Sequence, residues 1–128
     1  MYNLGCSYDQ GHGVKLDKKK AVKYFRMAAD RGNAHAQNNL GCSFRDGEGV
    51  AQDYAEAVRY YKLAADQGYT HAEHNLGAAY ANGRGVAHDL AEAARWWERA
   101  AARSHENAKQ NLAVDTAKHN LAILRRGR

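Results

Sequence analysis

The sequence repeats itself with a period of 36 residues, and this period restricts the possible folds more than any other feature. A Leu-Gly pair opens the motif, and a Gly-x-Gly-Val turn, an aspartate, an alanine and an aromatic pair follow at constant offsets. The second copy shows all of them: Leu40, Gly41, Gly47, Gly49, Val50, Asp53, Ala57, Tyr60 and Tyr61. Units of this length are typical of solenoids, in which each unit buries its apolar faces against its neighbours.

Each unit is predicted to be a pair of helices. Ala36, Leu40 and Phe44 lie at four-residue spacing and define one face of a first helix. The Gly-x-Gly turn ends that helix, Asp53 is placed to cap the second helix, and Gly68 follows its end. The sequence therefore predicts an all-α fold, a right-handed α-solenoid of about three helix-turn-helix repeats with a C-terminal capping helix.

A chain of 128 residues suits a single domain spanning residues 1–128. The predicted units are a partial repeat at 1–33, full repeats at 34–69 and 70–105, and a cap at 106–128. The cap begins in phase but has no Gly-x-Gly turn, and its apolar stripe is formed by Ala113, Ala117, Leu121 and Leu124. Because Met1 falls inside a repeat, we expect a segment of a longer protein, whose exposed first helix could pair with a second copy.

Small and large apolar residues are expected to have opposite packing roles. Alanines and Gly41 let helices cross closely, since a larger side chain would force them apart. Aromatic pairs such as Tyr60 and Tyr61 are expected to fill the wider gap between successive repeats.

Charge and hydropathy argue against two classes of partner. The net charge is +5, but the positive charge lies at the two ends and the middle is neutral to acidic. A nucleic-acid binder would carry a contiguous basic stripe with aromatic platforms, so nucleic acid is not expected as a partner. No apolar stretch approaches the roughly 20 residues of a membrane span, and no signal peptide is visible.

The residues that could carry chemistry favour neither catalysis nor a bound cofactor. The Gly-x-Gly turns follow helices and lack the Lys-Ser/Thr of a phosphate-binding loop. Cys6 and Cys42 hold equivalent positions on adjacent first helices, and two free thiols are predicted, which favours a reducing compartment such as the cytoplasm. His71 and His74 lie one helical turn apart, but no carboxylate is placed to orient them, so no metal site is predicted.

An asparagine ladder is the strongest candidate for a binding site. Asn3, Asn39, Asn75 and Asn111 recur immediately before the core leucines. Their amides could grip the backbone of an extended peptide, or they could bond to neighbouring turns and stabilise the solenoid, and the sequence leaves both alternatives open. The predicted groove around them also contains Tyr2, Cys6, His35, Asn38, Cys42, Arg45, His71, His74 and Asn107.

The motif Asn-Leu-Gly, Tyr/Phe, Gly-x-Gly-Val, Asp, Ala, Tyr/Trp and Ala-Ala over residues 2–112 resembles the Sel-one-like repeat family, a relative of the tetratricopeptide repeat. The resemblance implies a superhelix whose first helices line a concave groove. It also implies an adaptor or scaffold that binds a protein or an extended peptide, and it favours a bacterial origin. Peptide-holding tetratricopeptide domains use comparable asparagines on this helix.

One branch of that family, secreted and described as penicillin-binding, staples each repeat with a disulfide. Its cysteines would fall at alanines here, such as Ala29 with Ala36 or Ala65 with Ala72, which argues against that branch. Two alternatives to the scaffold remain: an enzyme or small-ligand site of the β-lactamase type in the groove, and a regulatory segment of a larger protein.

Overall fold

The described part of the chain consists of six helices joined by short turns. The computed structural model describes residues 2–11 and 16–111, and it describes side chains through residue 104. The helices are α1 (Tyr2–Gln10), α2 (Lys18–Asp30), α3 (Ala34–Asp46), α4 (Tyr54–Asp66), α5 (Thr70–Asn82) and α6 (Leu90–Asn111). No strand occurs within these ranges. The prediction of an all-α chain of helix pairs is confirmed.

Local sequence signals set the ends of the helices. Asp53 lies at the N-cap of α4, where its carboxylate accepts a hydrogen bond from the backbone amide of Glu56 at 3.1 Å. Asp17 caps α2 in the same way. Gly47 ends α3 with φ 67°, a left-handed conformation that costs glycine least. The predicted capping role of Asp53 is therefore confirmed.

The apolar core lies at the junctions between successive repeats. One cluster joins α2 to α3 through residues such as Phe25, Ala36 and Leu40, and it also receives Tyr60. The other joins α4 to α5 through residues such as Leu76, and it also receives Trp96. The first aromatic residues of the second and third pairs thus contribute to the core of the preceding junction, as the sequence predicts.

The second aromatic residue of each pair has a further role within its own repeat. It packs on the glycine of the first helix in its own repeat, as Tyr61 does on Gly41. A Cβ atom at Gly41 would lie 2.7 Å from the Tyr61 ring and 3.1 Å from the Ala57 carbonyl oxygen. Phe25 covers Gly5 in the same manner. The glycine is required because an aromatic ring occupies the space of its missing side chain.

Helix α6 continues across the predicted boundary between the third repeat and the cap. Gly32 and Gly68, with φ of 89° and 81°, follow the ends of α2 and α4, whereas Ser104 stands at the equivalent position in α6. Lacking that glycine, α6 extends to Asn111, so residue 105 is not a helix end. The remainder of the cap, residues 112–128, and the side chains of Asn107 and Asn111 lie outside the described residues.

Two partly buried polar pairs join the first helix of a repeat to the end of its second helix, at equivalent positions in the second and third repeats. Gln67 donates through Nε2 to Oε1 of Gln37 at 2.8 Å. One repeat later, Arg103 donates through Nε to Oε1 of Glu73 at 3.0 Å, and Glu73 is fully buried.

Within the described part of the chain, no helix has the length and apolar character that crossing a membrane would require.

Candidate functional site

A cavity opens at each of the two described junctions between repeats, lined by residues of the first helices α1, α3 and α5 and by residues of the second helices α2 and α4. We call the surface formed by α1, α3 and α5 the first-helix face. The cavity between repeats one and two measures about 260 Å³ and is lined by Tyr2, Cys6, Asp9, Gln10, Phe25, Asn39, Cys42, Ser43 and Glu48. The cavity between repeats two and three measures about 270 Å³ and is lined by Arg45, Tyr54, Ala57, Val58, Tyr61, Asn75, Ala78, Ala79, Asn82 and Arg84. We call them the first and the second junction cavity.

Asparagines of the ladder connect adjacent repeats inside these cavities. Asn75 donates through Nδ2 to Oδ1 of Asn38 at 2.9 Å, and Asn38 is buried. One repeat earlier, the side chain of Asn39 lies beside the hydroxyl of Tyr2, the residue equivalent to Asn38. Asn75 therefore bonds to the residue just before its counterpart in the preceding repeat, and Asn39 lies next to the equivalent residue, so these two asparagines also have a structural role.

Partly buried hydroxyl and thiol groups surround the ladder. Tyr61 donates its hydroxyl to the sulfur of Cys42 at 3.4 Å, and burial with that thiol nearby raises the pKa of Tyr61. Burial and the neighbouring Cys6 thiol raise the pKa of Tyr2 to about 12. Cys6 and Cys42 are both free thiols, as predicted, and both line the first junction cavity.

The Gly-x-Gly turns deliver one side chain to each junction cavity. Gly49 and Gly85, the second glycines of their turns, have φ of 77° and 80°. A Cβ atom at Gly85 would collide with the carbonyl oxygen of Tyr54, and one at Gly49 with that of Lys18. Each turn therefore lies directly against the start of the second helix in the preceding repeat. The central residue of the turn, Glu48 or Arg84, is carried with it to the edge of the cavity.

At the first junction cavity two carboxylates flank one cation. The ammonium nitrogen of Lys18 lies 2.9 Å from Oδ1 of Asp9 and 3.6 Å from Oε2 of Glu48. The hydrogen bond to Asp9 raises the pKa of Lys18. Two carboxylates from adjacent repeats thus share one cation that belongs to the same chain.

At the second junction cavity the charges are arginines. Arg45 donates through Nε to Oδ1 of its neighbour Asp46 at 2.9 Å, and this bond lowers the pKa of Asp46. Arg84 lies with its guanidinium 5.4 Å from the centre of the Tyr54 ring, which is cation–π geometry. No carboxylate of the described chain lies within 4 Å of the Arg84 guanidinium.

The predicted histidines lie away from both junction cavities. His35 packs with Tyr2 and Tyr69, at ring-centre distances of 5.4 Å and 4.6 Å. His71 packs on the other side of Tyr69, at 5.5 Å. His71 and the exposed His74 line a different depression, of about 600 Å³, together with Tyr69 and Ser104. Among the described residues, no group of three or more His, Cys, Asp or Glu side chains could hold a metal ion.

The residues predicted to line one groove therefore lie in several separate places on the structure. Asn39 and Cys42 line the first junction cavity, and Arg45 and Asn75 line the second. Asn38 lies buried between them, whereas Asn3 is exposed and lines an opening of about 560 Å³ near Gly32. The side chain of Asn111 is not among those described.

Sequence reasoning missed the charged rim of the cavities. Asp9, Glu48 and Arg84 were not predicted as site residues, although Asp9 and Arg45 are one period apart, as are Glu48 and Arg84. Comparing the variable positions of the repeat, in addition to the constant ones, would have exposed this reversal of charge. Nothing in the sequence shows that the central residue of the turn reaches the preceding repeat, since that depends on how the repeats stack.

Comparisons with known proteins agree with the repeat geometry. A protective antigen of uropathogenic Escherichia coli with an SLR fold is 40% identical, with a TM-score of 0.79, over 80% of this chain and 22% of that one. A Sel1 repeat protein from Oxalobacter formigenes is also 40% identical, with a TM-score of 0.76, over 79% of this chain and 41% of that one. The chain thus spans less than half the length of either protein.

A third solved structure shares the fold alone. Cysteine-rich protein B of Helicobacter pylori is 24% identical, with a TM-score of 0.65, over 69% of this chain and 66% of that one. No curated protein sequence gives a significant match. The Sel1 repeat model matches residues 1–33, 34–69 and 70–105, which are the bounds predicted from the 36-residue period. The chain belongs to the Sel1 repeat family.

Proposed function

We propose that this chain is a non-catalytic scaffold that holds an extended segment of a partner protein along its first-helix face. Sel1 repeat proteins are generally protein-interaction scaffolds, and the solved structures with this repeat are typically non-catalytic. One observation carries the proposal: two cavities of nearly equal volume, about 260 and 270 Å³, lie at successive junctions on the same face. Regularly spaced cavities suit a ligand that also advances in regular steps, which an extended peptide does.

The ladder asparagines can contribute to both cohesion and binding. Asn75 uses its Nδ2 group for Asn38, while its Oδ1 atom accepts no hydrogen bond from the described part of the chain. That oxygen remains available for a backbone N–H of a peptide in the second junction cavity. Asn39 holds the corresponding place in the first junction cavity. The proposal therefore keeps Asn39 and Asn75 as binding residues and adds that the same side chains join the repeats.

Site-specific photo-crosslinking tests this function. A photoreactive amino acid is placed at Gln10 or Asn82, which are exposed and line the first and second junction cavities respectively. Lys62, exposed on α4 and outside both cavities, provides the matched control position. We expect adducts to one and the same protein from Gln10 and Asn82, and none from Lys62. Adducts from Lys62 alone would refute binding on the first-helix face.

A further inference from the structure

The two junction cavities carry opposite charges at equivalent positions. Asp9 at the end of α1 corresponds to Arg45 at the end of α3, one period later. Glu48 in one Gly-x-Gly turn corresponds to Arg84 in the next. Each pair lines the cavity of its own junction. A pair of acids in the first junction cavity is thus replaced by a pair of bases in the second.

The first junction shows that these two positions are close enough to share one ion. Lys18 contacts both acids with a single nitrogen, at 2.9 Å and 3.6 Å. The lysine side chain is long enough for its ammonium group to lie between the two carboxylates. The corresponding arrangement at the second junction, with all signs reversed, is a carboxylate between two guanidinium groups.

The second junction has no such ion of its own at that place. The residue equivalent to Lys18 is Tyr54, which is uncharged and lies beneath the Arg84 guanidinium. Asp46 neutralises part of the Arg45 charge, but it engages only Nε and Nη2. A guanidinium has five N–H donors, so Arg45 keeps donors for a second carboxylate. Arg84 has no carboxylate partner among the described residues.

The remaining lining of the second junction cavity fits the stem of an acidic side chain. Ala57, Val58, Ala78 and Ala79 supply apolar surface, and Asn75 and Asn82 supply amides at the edge. Apolar lining suits methylene groups, and bidentate arginine donors suit the planar carboxylate at their end. A glutamate side chain combines both features in one residue.

We propose that the second junction cavity is a carboxylate subsite that takes a glutamate side chain of the bound peptide between Arg45 and Arg84. The inference rests on the proposed function, and it adds the chemical class of the partner and its register along the repeats. The first junction cavity, where two carboxylates flank Lys18, keeps a net negative charge and does not compete for that carboxylate.

The test is an NMR titration of the ¹⁵N-labelled chain with acetylated, amidated tetraglutamate. A salt concentration near 0.15 M shortens the screening length to about 8 Å and so suppresses distant charge effects. We expect the Arg84 Nε–H and Asn75 Nδ2 signals to shift with tetraglutamate and not with the neutral tetraglutamine peptide. Arg84→Gln should weaken binding about tenfold, the effect of losing one charge-assisted hydrogen bond. Arg59→Gln, at an exposed arginine paired with Glu56 on α4, removes the same charge and should change the affinity less than about twofold.

A charge-reversed variant provides a second test of the carboxylate subsite. Arg45→Asp combined with Arg84→Glu copies the acids of the first junction, and this variant should lose tetraglutamate and bind tetralysine instead. Equal weakening by Arg84→Gln and Arg59→Gln would overturn the subsite, since net charge would then explain the binding. Equal binding of tetraglutamine with a free carboxyl end would also overturn it, because a terminal carboxylate would then be the ligand. Crosslinks from Gln10 and Asn82 do not depend on these charges, so the subsite can fail while the scaffold function stands.

Discussion

Asn75 donates through Nδ2 to Oδ1 of the buried Asn38 at 2.9 Å, and this bond joins α5 to α3 across the second junction. The ladder was open to two explanations from sequence, and this bond gives it a measurable structural part. Asn75, which lines the second junction cavity, therefore also contributes to the contact between the second and third repeats. Substitutions at the ladder therefore need a stability measurement beside any binding measurement.

Asn75→Ala should lower the free energy of unfolding by about 1–3 kcal/mol, because the buried Oδ1 atom of Asn38 would lose its donor. Urea denaturation followed by circular dichroism measures this change. Asn3→Ala is the matched control, since Asn3 is exposed at the equivalent position of the first repeat. That control should stay within about 0.5 kcal/mol of the unsubstituted chain. Equal losses at both positions would mean that the inter-repeat bond does not contribute to stability.

Arg103→Gln should destabilise the chain by up to about 3 kcal/mol, because it leaves the fully buried Glu73 carboxylate without its cation. A double variant that copies the preceding repeat is expected to restore stability. Glu73→Gln combined with Arg103→Gln copies the Gln37–Gln67 pair of the preceding repeat, which is joined at 2.8 Å. Thermal and urea unfolding should show that this double variant regains most of the lost stability. A double variant no more stable than Arg103→Gln would contradict the equivalence of the two pairs.

Gly41→Ala should destabilise the chain by about 1–3 kcal/mol, because the added methyl group would meet the Tyr61 ring at 2.7 Å. Alanine is intrinsically favoured over glycine in helices by about 1 kcal/mol, which acts in the opposite direction. A net loss of stability would therefore mean that the steric clash costs more than this gain. Reducing the ring should relieve the clash, so Gly41→Ala with Tyr61→Leu is expected to cost less than the sum of the single changes. Additive losses would show that the two side chains do not compete for the same space.

Alkaline pH should weaken the fold through Tyr61, whose pKa is raised by burial and by the Cys42 thiol. A raised pKa means that folding favours the neutral phenol. Its contribution is complete below the unfolded-state pKa of about 10 and is lost as the pH rises toward the folded-state pKa. The urea midpoint between pH 9 and pH 12 should fall more steeply for the unsubstituted chain than for Tyr61→Phe. Parallel curves for the two proteins would show that Tyr61 ionisation does not contribute.

The 36-residue period was sufficient to predict the six-helix pattern of the described chain and the bounds of the three repeats. Caps such as Asp53 and turn glycines such as Gly47 act through bonds within a few residues, so their effects are visible in the local sequence. The continuation of α6 past residue 105, the bound of the third repeat, has a local reason as well. Ser104 replaces the glycine that follows the other second helices, so nothing in the local sequence ends α6 there.

Only the tertiary structure decided which side chains meet. The sequence places Asn38 and Asn75 on two first helices but does not show that their side chains bond, because this depends on the stagger between stacked repeats. The same stagger brings Arg84 to the cavity that Arg45 lines and places Lys18 between two acids. Helix type is fixed by interactions over three or four residues, whereas the Asn75–Asn38 and Lys18–Glu48 contacts between repeats join residues 37 and 30 apart. The sequence by itself therefore determined the repeat and its helices, and the packing of one repeat on the next determined the candidate site.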